Sequence, residues 1–340
     1  MHRTLAISAV VVAVLAVCAP PWIALAYHAA SYPVTKSGEA ANVVVDGAFA
    51  YASLAECGFE IVDTDSGKIL GVVAPPPNSE SVDDLAIADG LLFVLDARPP
   101  GHLSVFSLAD PSRPSLVSPP VGVDVGPFSG VSAARGNVIV SGGTSLLSMR
   151  SYDGRGVLGP VLATGDYGRG QPDVLLAPDG TRAFVSTHTW GPYFRLTTVR
   201  VGNSLAEEGR VSLDTYGFTN GGAKPASFPV EAAVEGDVAL VADRSGLTVI
   251  SVADLAKPEI LARLDVGVEA VNVDARDGVA AIIGSSPEPR LVLVDITNPS
   301  SPRIVRTILL PNGSQPTGVA IGRTRVAVAS HRNGVLLFPR

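Results

Sequence analysis

A histidine, a tryptophan and a tyrosine fall within six residues of one another, His188, Trp190 and Tyr193 in "HTWGPY". Arg244 lies fifty-six positions beyond His188. Between them runs "DTYGFTNGGAKPASFP" from Asp214, a long Gly-rich stretch carrying Tyr216, Phe218 and Lys224. A guanidinium offers a fork of donors matched to carboxylates and phosphates. An imidazole donates or accepts near neutral pH, and aromatic rings supply apolar walls. If the fold brings these groups together, they suit a small anionic or polar ligand, or a partner's acidic side chain. Metal chemistry has less behind it. His28, His102, His188 and His331 stand in no CxxC, HxH or HExxH pattern, and zinc requires three or four ligands at about 2.0–2.3 Å from one point. Asp96 and Asp243 could contribute to an oxygen-rich Ca²⁺ site. There is no GxSxG elbow to hold a nucleophilic serine.

The element that must position these residues is a repeat. "LSVFSLADPSRPSLV" from Leu103, "LTVISVADLAKPEIL" from Leu247 and "LVLVDITNPSSPRIV" from Leu291 share one grammar: an apolar run, an Asx-Pro or Asp-Leu turn, a second run. A second marker is the hairpin turn at Gly47, Gly90, Gly136, Gly180, Gly236, Gly278 and Gly322, with spacings of 43, 46, 44, 56, 42 and 44 residues. A turn of this kind needs positive φ, which Gly supplies. In the second turn, Pro fixes φ, removes an N–H and ends a strand. Each copy therefore reads as four short antiparallel strands. A four-stranded sheet cannot bury both faces alone, and radial packing of successive sheets solves this. The expectation is an all-β protein: a seven-bladed β-propeller of four-stranded antiparallel blades. The last copy holds only three strands before the chain ends, so the segment near residues 31–36, "SYPVTK", is expected to close the ring.

"LVLVDITNPSSPRIV" resembles the LVIVD-repeat β-propellers of bacterial and archaeal surfaces. "APDGTRAFVS" from Ala177 and "IVDTDSGKILGVV" from Ile61 are similar to the related YVTN-type surface propellers. The resemblance implies a propeller fold, a surface location and a binding or interaction role.

Within such a fold the loop after the second strand of each blade shares a face with the links between blades, where function commonly sits. Aligning these loops puts Leu54, Asp96, Gly142, Thr187, Asp243, Gly284 and Ser330 in one column. The next column is Ala55, Ala97, Gly143, His188, Arg244, Ser285 and His331. His188 and Arg244 thus belong to equivalent positions of blades 4 and 5, with Trp190, Tyr193 and Lys224 as neighbours in a candidate ligand pocket. The competing reading is a solvated rim with a decorated loop. Two function classes follow. One is a non-enzymatic ligand- or protein-binding module without cofactor. The other is a metal-assisted, lactonase-like hydrolase using Ca²⁺ or Zn²⁺ at the channel mouth, with Asp96 and Asp243 as the metal candidates.

Composition sets the outer limits. The chain has 340 residues, a formal net charge of −7 and no basic cluster. Nucleic acid is therefore not an expected partner, because that binding rests on Lys and Arg neutralising phosphates. Residues 1–26 read as a secretory signal: Arg3, an apolar run from Leu5 to Val17, then small residues at Ala24 and Ala26. The propeller would then occupy residues 27–340, in the periplasm, at the cell surface or secreted. An uncleaved anchor, the one route to a membrane, and lipid modification of Cys18 are the alternatives. Cleavage after Ala26 would leave Cys57 as the single cysteine of the shortened chain.

Overall fold

The structure is a computed structural model, and it describes residues 32–33, 40–117, 119–123, 130–142, 146–166, 171–188, 193–214, 231–243, 246–331 and 333–340. The chain folds into seven antiparallel sheets arranged as the blades of a propeller. Blade 6 shows the common plan: Ala270–Arg276 innermost, then Val279–Gly284, Arg290–Asp295 and Arg303–Leu309 outermost. Blade 7 has Pro316–Ile321, Arg325–Ser330 and Gly334–Pro339 from the C-terminus. Its fourth strand is Tyr32–Pro33, with Tyr32 opposite Leu337 and Pro33 opposite Leu336. Blade 2 departs from the plan at its outer edge. Two short pieces, Ser115–Leu116 and Val121–Gly122, pair separately with His102–Ser107.

The hairpin glycines mark the turns between first and second strands. Asp89–Gly90, Arg135–Gly136 and Asp277–Gly278 have positive φ at both residues, the I′ geometry that matches strand twist. Gly322 is different. Its φ is not in the left-handed region, and the blade 7 turn is longer, closing on Ile321 opposite Val326.

Second and third strands read as continuous apolar runs because each blade is sandwiched between two others. Leu91–Asp96 and the interior of Arg290–Asp295 are buried throughout. The outermost strands lie at the rim, so Val305 and Leu309 are exposed. Seven apolar clusters fill the seven seams between blades. Phe59 of blade 1 meets Phe106 of blade 2 edge-on at 5.3 Å, and Phe93 of blade 2 packs on Tyr152 of blade 3 at 4.8 Å.

The repeated Asx turn has a second use beyond ending a strand. Asp110 accepts the Ser112 N–H at 3.1 Å and Asp254 accepts the Ala256 N–H at 3.0 Å, a local bond that favours the turn. The turn then docks on the preceding blade. The Tyr51 hydroxyl of blade 1 donates to the Pro111 carbonyl at 2.8 Å, and the Thr198 hydroxyl of blade 4 to the Leu255 carbonyl at 2.5 Å. Gly209 lets this happen, since a Cβ there would lie 2.5 Å from the Leu255 carbonyl oxygen. Cys57 is disulfide-bonded, whereas cleavage after Ala26 would leave it a lone thiol.

Candidate functional site: the central channel

The innermost strands surround a channel of about 1450 Å³. An innermost strand has no further strand beyond it, so part of its backbone must be satisfied by other means. Here side chains of one blade reach the backbone of the next. The Asp84 carboxylate of blade 2 accepts the Val131 N–H of blade 3 at 2.7 Å. Ser132 Oγ of blade 3 accepts the Leu176 N–H of blade 4 at 2.8 Å. Glu235 of blade 5 accepts the Gly278 N–H of blade 6 at 2.9 Å, and Asp274 of blade 6 the Ile321 N–H of blade 7 at 2.6 Å. Asn272 Nδ2 donates to the Thr317 carbonyl at 3.4 Å. The Thr317 hydroxyl donates to the Ala40 carbonyl at 2.8 Å. Asn42 Nδ2 of blade 1 donates to Asp84, bringing the series back to blade 2.

One arc of this margin carries more acid than the backbone requires. Asp84, Asp173 and Glu231, from blades 2, 4 and 5, all line the channel. Blade 3 contributes Gly130 between them. A Cβ on Gly130 would lie 3.3 Å from Asp173 Oδ1 and 3.4 Å from Asp84 Oδ2, so the missing side chain is what lets the carboxyls approach. Asp173 and Glu231 are hydrogen-bonded to each other. Two carboxyl groups can do this only if one holds a proton. Burial, followed by the charges of Asp173 and Asp84, pushes Glu231 well above the usual carboxylate range, making it the proton holder. Burial also raises Asp173. Asp84 is pushed up to about 7, again chiefly by burial, while its bonds from Val131, Asn42 and Leu85 pull the other way. Asp274, on the opposite arc, is raised to about 6 by burial. These groups keep some surface toward the channel, yet protein encloses them on the remaining sides, and enclosure is what disfavours the ionised form. Of the described arginines lining the channel, Arg98 pairs with Glu56 and Arg135 donates to the Pro178 carbonyl.

Of the residues singled out from sequence, His188, Tyr193 and Asp243 fall at ends of described strands. Ser186 pairs with Asp173, and two residues further His188 ends the second strand of blade 4. The Ala242 N–H bonds the Glu231 carbonyl at 3.1 Å, and Asp243 then ends the second strand of blade 5. The strand ladders reproduce the loop alignment, so His188 and Asp243 end equivalent strands of adjacent blades. Tyr193 opens the third strand of blade 4, opposite Asp214. Trp190, Lys224 and Arg244, with linker residues 215–230, lie outside the described residues.

Asp96 and Asp243 end the second strands of blades 2 and 5. Asp96 is buried and accepts the Glu80 N–H at 2.7 Å and the Arg98 N–H at 3.0 Å, so its carboxylate shapes its own loop. Among the described residues no three His, Cys, Asp or Glu side chains are disposed to hold a metal ion. Sequence reasoning missed Asp84, Asp173 and Glu231. Their signal was an acid preceding each turn glycine, but the offset is six, seven and five residues respectively, which hides the column.

The LVIVD repeat model matches residues 37–66, 231–266 and 288–309. The chain is a seven-bladed β-propeller that carries LVIVD repeats. The matches include the copies from Leu247 and Leu291 and add one in blade 1, while the copy from Leu103, in the blade with the broken outer strand, is not matched. A comparison with curated proteins finds no match. Among solved structures, the chain is similar to the computationally designed Ika8 protein, with a TM-score of 0.58 and 10% identity over 90% of this chain and 85% of that one. At that identity the likeness concerns the fold alone.

Proposed function

We propose that this propeller is an exported, non-enzymatic binding module that takes a small polar ligand, or a polar side chain of a protein partner, at the loop-side mouth of its channel. The observation that carries the reading is the Asp173–Glu231 pair with Asp84 beside it, three acids facing a roomy channel. A concave site with a few convergent polar groups is the usual make-up of a ligand pocket. In this reading a donor or ammonium group of the ligand replaces the proton shared by Asp173 and Glu231. His188 and Arg244, with Trp190, Tyr193 and Lys224, take the anionic or polar remainder at the edge of blades 4 and 5. A zwitterionic ligand would satisfy both ends.

Calorimetric titration with ammonium-bearing, zwitterionic and dicarboxylate small molecules tests this. The expected result is binding of the first two classes, weakened at least about tenfold by Asp173→Asn, equivalent to about 1.4 kcal/mol. Arg244→Ala should weaken the zwitterion and spare the simple amine. Binding that ignores both substitutions would overturn the site. A Ca²⁺ or Zn²⁺ arm addresses the hydrolase alternative: one tightly held ion per chain, lost on replacing Asp96 or Asp243, would favour it. For export, the signal reading of residues 1–26 requires a mature product whose N-terminal sequence begins after Ala26.

A further inference from the structure

The loop between blades 6 and 7 contains an Asn-Gly pair in an exposed turn, and a second Asn-Gly pair sits close by in a different setting. Asn312 and Gly313 are the central residues of a turn closed by the Ser314 N–H to the Pro311 carbonyl at 3.0 Å. Gly313 has φ of +80°, the third-position conformation of a type II turn. Both residues are exposed, and nothing lies within 4 Å of where a Gly313 Cβ would be. Asn333 and Gly334 form the other pair. Asn333 is half-buried, its Nδ2 donates to Ser314 Oγ at 2.6 Å, and its N–H bonds the Ser330 carbonyl at 3.2 Å. Gly334 is paired with Ser330 in the ladder.

We infer that Asn312 is a site of spontaneous deamidation in the folded protein and that Asn333 is protected from it. The Gly313 backbone nitrogen attacks Asn312 Cγ. A C–N bond forms, the side-chain nitrogen leaves as ammonia with the proton from the Gly313 N–H, and a five-membered succinimide results. Water then opens either carbonyl–nitrogen bond, leaving aspartate or isoaspartate. No oxidant or reductant takes part. The backbone must rotate at Asn312 for the nitrogen to reach Cγ. An exposed turn at a glycine opens at little cost, whereas Asn333 would have to break its bond to Ser314 first.

The position gives the reaction a consequence. Gln315 follows the turn, and the His331 N–H bonds its carbonyl at 3.0 Å, while the Gln315 N–H reaches Ser330 Oγ at 3.1 Å. Gln315 and His331 both line the channel. Conversion therefore adds a carboxylate, and for isoaspartate an extra backbone methylene, at the base of two rim loops that are tied to each other.

The test is peptide mapping by mass spectrometry of the purified full chain, aged at mildly alkaline pH and physiological temperature. Conversion at Asn312 should run well ahead of Asn333. Gly313→Ala should slow it several-fold at 312 alone, and Ser314→Ala, which frees the Asn333 amide, should speed it at 333. A denatured sample aged in parallel should convert both. Equal rates at the two sites in the folded chain, or conversion at Asn312 only in the denatured sample, would overturn the inference. Asn220–Gly221 lies outside the described residues and is resolved separately in the map.

Discussion

The outer part of each seam between blades and the inner margin at the channel hold the same sheets together by different means. The seams are apolar wedges in which Phe59 meets Phe106 and Phe93 meets Tyr152. The margin is a series of single polar contacts, Asp84 to Val131, Ser132 to Leu176, Asp274 to Ile321. The wedges stabilise through area removed from water, which is indifferent to direction. The margin contacts are directional, and each satisfies a particular backbone N–H that would otherwise stay unpaired. A wedge residue is therefore replaceable by another of similar volume, while a margin residue is replaceable only by another acceptor at the same place. Function is expected at the margin, because its polar groups face open space.

The largest effect that would break this comparison is in a wedge. Phe93→Ala should destabilise by about 3–5 kcal/mol, the range for deleting a buried aromatic ring, measured by urea unfolding. A loss nearer one kcal/mol would mean that the wedges are not the main source of cohesion. Next come the margin carboxylates. Asp274→Ala leaves the Ile321 and Ala275 N–H groups without their acceptor, and should cost about 1–3 kcal/mol. Asp84→Ala removes the acceptor of three donors, the Val131 and Leu85 N–H groups and Asn42 Nδ2, while relieving repulsion from Asp173. It should cost at least as much as Asp274→Ala, and a smaller cost would show that conflict among the acids on that arc outweighs the additional bond.

A third expectation concerns pH. Asp84 and Asp274 titrate at about 7 and about 6 in the fold, against 3.8 unfolded. The folded state thus binds more protons than the unfolded state between those values, and stability falls wherever that holds as pH rises. Their contribution is complete below about pH 4, declines through about pH 6–7 and is flat above. Asp295 has the opposite sign. Thr297 and Arg303 hold it down to about 2, so its contribution is present above its ordinary value and fades in strong acid. The melting temperature should peak near mildly acidic pH and drop toward neutrality, and Asp274→Asn should flatten part of that drop. A melting curve that rises from pH 5 to pH 7 would contradict the raised values. The smallest expected effect is at the docked turn. Thr198→Val removes one hydrogen bond to Leu255 and should cost about 1 kcal/mol, well below Phe93→Ala.

Much of the architecture was legible because it is local. A Gly at φ > 0 between two strands, an Asp accepting an N–H two residues on, and a Pro ending a run are all decided within a few residues. Their recurrence about every forty-four residues counts the blades. Burial of whole second and third strands was legible for the same reason, as runs such as "LLFVLD" and "LVLVD" admit no solvent face. The outer edge of blade 2 was not, since its fourth strand is split into two pairs of residues that no periodicity marks.

The sequence by itself determined the number of blades, the turn chemistry and which loops share the face of His188 and Asp243. Only the tertiary structure decided which polar groups meet. Asp84, Asp173 and Glu231 are far apart along the chain and stand at three different offsets from their turn glycines. They converge because Gly130 leaves room between them and because the closed ring surrounds them with protein. The enclosure that raises their proton affinity belongs to the ring as a whole, and no one repeat contains it.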